Sequence, residues 1–137
     1  MSERVALRPV DAADVTIVVD NAIDILAAGT EVAQRAPLVW DWSEREQLRA
    51  EHGYSLLVSV HRDGRSDTLL YDAGLGRDTT IHNMDVLGIN PRDVRTVVLS
   101  HGHADHHGGL ERQARAAVSA EQRGHAAALC CGPGAVE

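Results

Sequence analysis

The chain has 137 residues, a hydrophobic fraction of 44% and a formal net charge of −7. This length suits one domain with one core, and the acidic balance disfavours a nucleic-acid partner, because clustered Lys and Arg side chains bind such partners. No apolar run approaches the roughly 18 residues of a membrane span, and no hydrophobic stretch follows the charged N-terminus. The only cysteines are neighbours at positions 130 and 131. We therefore expect a cytoplasmic protein in a reducing compartment, without a membrane partner.

The N-terminal part of the chain predicts a strand, a loop and a short helix, in that order. Residues 15–21, VTIVVDN, are a β-branched run that ends at Asp-Asn, which predicts a buried strand followed by a turn. Gly29 and Pro37 interrupt residues 22–42, which favours an extended surface loop. Residues 43–53, SEREQLRAEHG, have capping-box spacing at their start and a glycine at their end, which predicts a short helix.

The next elements are a hairpin and a helix. Residues 54–71 alternate in polarity on both sides of Asp63-Gly64, a dipeptide that strongly favours a two-residue hairpin turn. Residues 79–88, TTIHNMDVLG, are predicted to form a helix with Gly88 in the C-terminal capping position.

A last strand leads directly into a histidine-rich loop. Asn90 as cap and Pro91 as first helical residue predict a helical turn. Residues 95–100, RTVVLS, then predict a strand that is covered on both faces. The loop at 100–110, SHGHADHHGGL, follows at once. Because open α/β sheets bind ligands at the carboxyl ends of their strands, the histidines lie where a functional site is expected.

The spacing of the donor groups in this loop suits metal ions. In extended backbone, His101 and His103 point the same way and can share one ion, while Asp105 and His106 lie just beyond and can converge on a second ion. Two ions roughly 3.5–4 Å apart could bridge a water molecule and hold it as a hydroxide nucleophile. The alternative is a His-rich tract that binds metal loosely without catalysis.

Two glycines follow the donors. Gly108 and Gly109 have no Cβ, so we expect them to let the backbone pass close to the metal site.

The sequence HGHADHHGG matches the HxHxDHxGG signature of the metallo-β-lactamase superfamily, and the resemblance extends upstream through LLYDAGLG. The stretches VTIVVDN, AEHGYSLLVSV and LLYDAG are similar to a branch of metal-dependent hydrolases related to dihydropterin ribofuranosyl-aminobenzene phosphate synthase. About residues 14–110 are covered. The resemblance implies an α/β fold: the first half of an αβ/βα sandwich, with a mixed sheet and helices on one face.

The resemblance also implies roles for individual residues. One or two zinc ions, with manganese or iron as alternatives, would be the cofactor. Asp72 would stand behind the ligands as an orienting carboxylate, in a turn with Gly74; a simple turn residue is the alternative interpretation. The residues that would bind the metal and take part in catalysis are His101, His103, Asp105 and His106.

Other polar residues are weaker candidates. His52 precedes a glycine, and Asp20 and Asn21 end a predicted strand, so these three could face the site; capping or turn duties are the alternative. His61 and His82 are expected at the surface.

The resemblance further implies that something is missing downstream. Members of the family are longer and supply further ligands from their second half, and His125, the only later histidine, follows too closely to replace one. We expect a single, truncated metallo-β-lactamase-like domain over residues 1–137, with a doubtful tail at 111–137 that is rich in Ala and Arg. Half a sandwich leaves a sheet face and strand edges uncovered, which favours a homodimer.

Three functions stay open. The first is hydrolysis of a small-molecule ester, lactone, thioester or phosphodiester by a metal-bound hydroxide. The second is a truncated, inactive relative that binds metal. The third is a pterin-linked transferase similar to ribofuranosyl-aminobenzene phosphate synthase.

Overall fold

The computed structural model describes residues 8–36, 46–111 and 128–131. These residues contain a five-stranded sheet in the order β1-β2-β3-β4-β5 and short helices that connect or follow its strands. The strands are β1 Ala12–Val19, β2 Ser55–Arg62, β3 Arg65–Tyr71, β4 Val94–Leu99 and β5 Ala128–Cys131. The helices are α1 Thr79–Val86, a 3₁₀ turn at Pro91–Asp93 and α2 Ala104–His107.

The sheet is mixed. β1 and β3 flank β2 in antiparallel orientation, whereas β3, β4 and β5 run parallel to one another. Because α1 lies between β3 and β4 in the chain, it makes the crossover that a parallel pair needs. The predicted α/β class with a mixed sheet is confirmed.

The hydrophobic core lies between one face of the sheet and α1. Leu70 of β3 and Met84 of α1 are fully buried and belong to the same cluster as Val19 and Val97. The core cluster between α1 and the sheet therefore fixes the positions at which β3 and β4 end.

The predicted hairpin is confirmed. Arg62 pairs with Arg65, which leaves a loop of two residues. Asp63 has φ +50° and Gly64 has φ +72°. Two consecutive positive φ values are the signature of a type I′ turn, whose twist matches that of the strands.

The predicted stop of the second helix at Gly88 and the predicted cap at Asn90 are confirmed as well. After α1, Gly88 has φ +71° and donates its N–H to the carbonyl of Asp85 at 3.0 Å, and Ile89 donates to Met84 at 2.8 Å. This pair of bonds is a Schellman motif. Asn90 accepts a hydrogen bond from the N–H of Arg92 at 3.1 Å and so caps the 3₁₀ turn.

The prediction that the first strand is buried is wrong for most of its length. β1 lies at the edge of the sheet, and the side chains of Val15 and Ile17 are 60% and 57% exposed. Val18 and Val19 are buried and belong to the core cluster. An edge strand has a neighbour on one side only, so its burial depends on what packs across it.

The predicted helix at 43–53 is wrong over residues 46–53, which are not helical; residues 43–45 lie outside the described residues. Backbone groups of this segment bond to distant residues instead. Arg49 donates its N–H to Asn83 Oδ1 and accepts from Asn83 Nδ2, both at 2.9 Å, and Glu51 donates its N–H to the carbonyl of Asp20 at 3.1 Å. These tertiary bonds replace those that a helix would have made.

The predicted loop is confirmed over residues 22–36, which form no helix or strand, while 37–42 lie outside the described residues. In the tail at 111–137, residues 128–131 form β5 and pair with β4, and 112–127 and 132–137, including His125, lie outside the described residues. The interpretation of this tail and of a truncated domain stays a prediction. No helix within the described ranges has the length and hydropathy that crossing a membrane requires.

Candidate metal centre

The predicted ligands meet at the carboxyl ends of β3 and β4. β4 ends at Leu99, and α2 begins at Ala104 after four intervening residues, with His103 in the N-cap position. The ring of His101 lies 4.6 Å from that of His103 and 4.1 Å from that of His106, measured between centroids. Three imidazoles from six consecutive positions thus form one cluster.

Asp72 lies directly behind this cluster. It follows β3, is 1% exposed and has φ +58°. Its Oδ2 lies 2.7 Å from Nδ1 of His106, and its two oxygens accept the N–H and the hydroxyl of Ser100, both at 2.8 Å. Because a carboxylate oxygen accepts this hydrogen bond, Nδ1 is the protonated nitrogen of a neutral His106 ring, and Nε2 carries its lone pair. Asp72 is therefore a turn residue and also fixes the tautomer of one imidazole.

Ser100 is a site residue that sequence reasoning missed. Its Oγ lies 2.9 Å from Nδ1 of His101 while it donates its proton to Asp72. Since that proton is committed, Oγ must accept one from Nδ1 of His101. In the neutral form both imidazoles therefore carry their lone pair on Nε2, the tautomer that metal ligation through Nε2 requires. The available signal was a hydroxyl residue at the last position of a buried strand, directly before the first histidine.

Asp105 lies on the other side of His106. Its Oδ2 is 3.5 Å from Nε2 of His106 and 3.7 Å from Nε2 of His52. The side chain of Asp105 is 27% exposed and that of His52 is 84% exposed. The structure thus brings His52, from the segment before β2, to the edge of the cluster.

Asp20 and Asn21 form a turn after β1. Oδ1 of Asp20 accepts the N–H of Asn21 at 2.7 Å, and the carbonyl of Asp20 accepts from Glu51. These are turn contacts, the alternative that the sequence left open. A pocket role for the two residues stays a prediction.

The glycines of the motif make a close backbone contact beside the site. Gly108 donates its N–H to the carbonyl of Gly74 at 2.8 Å. A Cβ on Gly108 would overlap the carbonyl of Leu75, and one on Gly109 would overlap the carbonyl of Ala73. The backbone therefore passes close to the turn after Asp72, because that turn packs directly under α2. The predicted close approach to a metal ion stays a prediction.

Glu51 is the second residue that sequence reasoning missed. Its Oε1 accepts the N–H groups of Leu75 and Gly76 at 2.8 and 2.9 Å, and its Oε2 accepts the hydroxyl of Thr79 at 2.6 Å. One carboxylate thus holds the turn that contains Asp72. The sequence did not indicate this role, because the surrounding residues predicted a short helix.

The remaining described histidines lie elsewhere. Nε2 of His107 is 3.1 Å from the carbonyl of Gly102, and Nε2 of His61 is 2.7 Å from Asp14 at the far end of the hairpin. The side chain of His82 is only 13% exposed, so its expected surface position is wrong: α1 packs it against residue 47, whose carbonyl it contacts at 2.7 Å.

The donor set fits a divalent metal ion in its chemistry. It offers three imidazoles and a carboxylate, and two of the imidazoles have tautomers fixed by Asp72 and Ser100. In the described part of the chain, however, no group of three or more His, Cys, Asp or Glu side chains is arranged to hold an ion. The ligand types and their supports are present, whereas a converged coordination set is not.

Comparison with known proteins gives a family and a relative. The family model described as the metallo-beta-lactamase superfamily matches residues 48–121, more than half of the chain. The 7,8-dihydropterin-6-methyl-4-(beta-D-ribofuranosyl)-aminobenzene-5'-phosphate synthase of Methanocaldococcus jannaschii is 38% identical over 61 residues, which are 44% of this chain and 21% of that protein.

Solved structures give partial matches. The metallo-β-lactamase MIM-1 from Novosphingobium pentaromativorans is 32% identical, with a TM-score of 0.37, over 46% of this chain and 22% of its own. The Rm3 metallo-beta-lactamase is 31% identical, with a TM-score of 0.38, over 50% of this chain and 24% of its own. The chain thus spans less than a quarter of the length of each of these proteins.

Proposed function

Since the chain belongs to the metallo-β-lactamase superfamily, we propose that it is a metal-dependent hydrolase with a binuclear zinc centre. Its substrate would be a small ester, lactone, thioester or phosphodiester. The observation that supports this most directly is the hydrogen-bonded chain from buried Asp72 through Ser100 to His101, with a direct branch to His106. A buried carboxylate is costly unless fully bonded, so one that fixes two imidazole tautomers is typical of a ligand-positioning group.

In this proposal the four donors would divide between two ions. His101 and His103 would hold the first ion, and Asp105 and His106 the second. A bound divalent ion would activate a water molecule and polarise the scissile group of the substrate.

The residues of this chain then act by position. Asp72 and Ser100 keep the Nδ1 protons of His106 and His101, so that neither ring can turn its protonated nitrogen toward the ligand side. Because Gly108 has no Cβ, α2 can lie against the turn after Asp72. This packing brings Asp105 and His106, which belong to α2, toward His101 and His103.

Two other functions have an observation in their favour. The name of the relative from Methanocaldococcus jannaschii favours synthase chemistry on a phosphorylated, pterin-linked substrate. The lack of a converged ligand set among the described residues favours a chain that binds metal without catalysis.

A metal titration with a substrate screen tests these functions. We expect the full chain to bind Zn²⁺ in isothermal titration, and His101→Ala and Asp105→Asn to bind it more weakly, because each removes a donor. With Zn²⁺ or Mn²⁺ added, hydrolysis of an ester, lactone, thioester or phosphodiester above a chelated control would support the hydrolase. Binding without turnover would favour the inactive metal binder, and equal binding by all three proteins would contradict the metal assignment.

A further inference from the structure

We propose that His52 is a further metal ligand, the third donor beside Asp105 and His106 to the second ion. The inference rests on the proposed function. Oδ2 of Asp105 lies 3.7 Å from Nε2 of His52 and 3.5 Å from Nε2 of His106. One carboxylate oxygen thus lies within 3.7 Å of two imidazole nitrogens that come from separate parts of the chain.

The backbone before His52 is fixed to the site. Glu51 accepts the N–H groups of Leu75 and Gly76 at 2.8 and 2.9 Å, so its side chain is held by the turn after Asp72. Because His52 is the next residue, its Cα cannot move far from that turn while these bonds persist.

The backbone after His52 is fixed to Asp105 itself. Tyr54 donates its N–H to the carbonyl of Asp105 at 3.2 Å, and a Cβ on Gly53 would lie 2.9 Å from that same carbonyl oxygen. The segment and α2 therefore pack too closely for a side chain at position 53. His52 is anchored on both sides, although its own side chain is exposed.

This anchoring exceeds what a surface ion pair needs. An exposed His–Asp pair contributes little to stability and requires no fixed backbone. Two imidazoles with a carboxylate are a common ligand set for zinc. The side chain of His52 is 84% exposed, and its Nε2 lies 3.7 Å from Oδ2 of Asp105. The geometry therefore points to ligation by His52, which supplies a donor from before β2.

Titration of the full chain with Co²⁺, followed by visible absorption, tests this assignment. We expect His52→Ala to lower the affinity for the second equivalent of Co²⁺ by about tenfold or more. Even the loss of a residue that only hydrogen-bonds to a metal ligand lowers metal affinity by about 10–100-fold. The affinity for the first equivalent should stay unchanged. His52→Cys should add a sulfur-to-cobalt charge-transfer band that the parent protein lacks. His61→Ala and His61→Cys are the matched controls and should bind Co²⁺ as the parent does, because His61 lies at the far end of the hairpin.

The possible outcomes separate this inference from the proposed function. If His101→Ala and Asp105→Asn weaken Co²⁺ binding but His52→Ala does not, and His52→Cys gives no new band, only the role of His52 is wrong. If the parent protein binds no Co²⁺, both are wrong.

Discussion

Asp72 has the most consequential side chain of the site. It combines a left-handed backbone, nearly complete burial and hydrogen bonds to Ser100 and His106. The hydrogen bonds compensate for the burial of its carboxylate. Because Asp72 must be both buried and fully hydrogen-bonded, it couples the stability of the fold to the orientation of the imidazoles.

Asp72→Asn should therefore affect stability and metal affinity together. The amide can place a donor where Ser100 or His106 already donates, so we expect a loss of about 1–3 kcal/mol in the free energy of unfolding and roughly 10–100-fold in Zn²⁺ affinity. Denaturant titration and calorimetry measure the two losses. Asp67→Asn is the control, because Asp67 is 76% exposed; a similar loss there would count against a specific role for Asp72.

Gly108→Ala should be far more costly than Gly64→Ala, although only Gly64 has a positive φ. At Gly64 the added methyl meets nothing within 4 Å, so the cost is the left-handed backbone alone, about 1–2 kcal/mol. At Gly108 φ is −57°, and the methyl would overlap the carbonyl of Leu75. We expect a loss of about 3 kcal/mol or more by denaturant titration; equal costs for the two variants would contradict this packing.

The segment at residues 46–54 is neither a strand nor a helix, yet it makes the contacts that connect the elements around the site. Residues 46–54 connect β1, the turn after β3, α1 and α2 by backbone hydrogen bonds and by Glu51. Isolated helices shorter than about 12–15 residues are marginally stable in water. Here α1 has eight residues and α2 has four. Their stability must come from what they pack against.

Glu51→Ala should release the turn after Asp72 before it unfolds the sheet. The N–H groups of Leu75 and Gly76 lose their acceptor, so their amide hydrogen exchange should accelerate by more than that of β2 and β3. Exchange followed by mass spectrometry or NMR measures this difference. Glu46→Ala is the control, since Glu46 is 73% exposed, and faster exchange in both variants would argue against a specific clamp.

Across the described sheet, the two faces are unequal. Leu70 and Val97 lie on the face that α1 covers and are buried. On the opposite face, Ile17 pairs with Leu56, which pairs with Tyr71, and this row is exposed or half-buried. The homodimer expected from the sequence would use such a face and stays a prediction.

Paired substitutions measure this difference between the faces. Leu70→Ala should lower the free energy of unfolding by about 2–5 kcal/mol, because it leaves a cavity. Ile17→Thr should change it by less than about 0.5 kcal/mol, because the side chain is 57% exposed. Denaturant titration at two protein concentrations gives both values. A large, concentration-dependent cost for Ile17→Thr would instead show that a second copy covers this face.

The sequence was sufficient for features that depend on neighbouring residues. The Asp63-Gly64 turn, the stop at Gly88 and the Asn90 cap follow from backbone preferences and bonds within a few positions. The clustering of the three imidazoles also follows locally, because they occupy six consecutive positions after a strand.

Contacts between distant parts of the chain required the tertiary structure. Residues 46–53 carry helix signals, yet Asn83, 34 positions from Arg49, takes the backbone bonds that a helix would have used. The roles of Glu51 and Ser100 exist only once the sheet order places β3 beside β4 and the turn after β3 beneath α2. Local preferences are worth tenths of a kcal/mol per residue, whereas buried polar groups left unbonded cost about 1–3 kcal/mol each, so the tertiary bonds prevail.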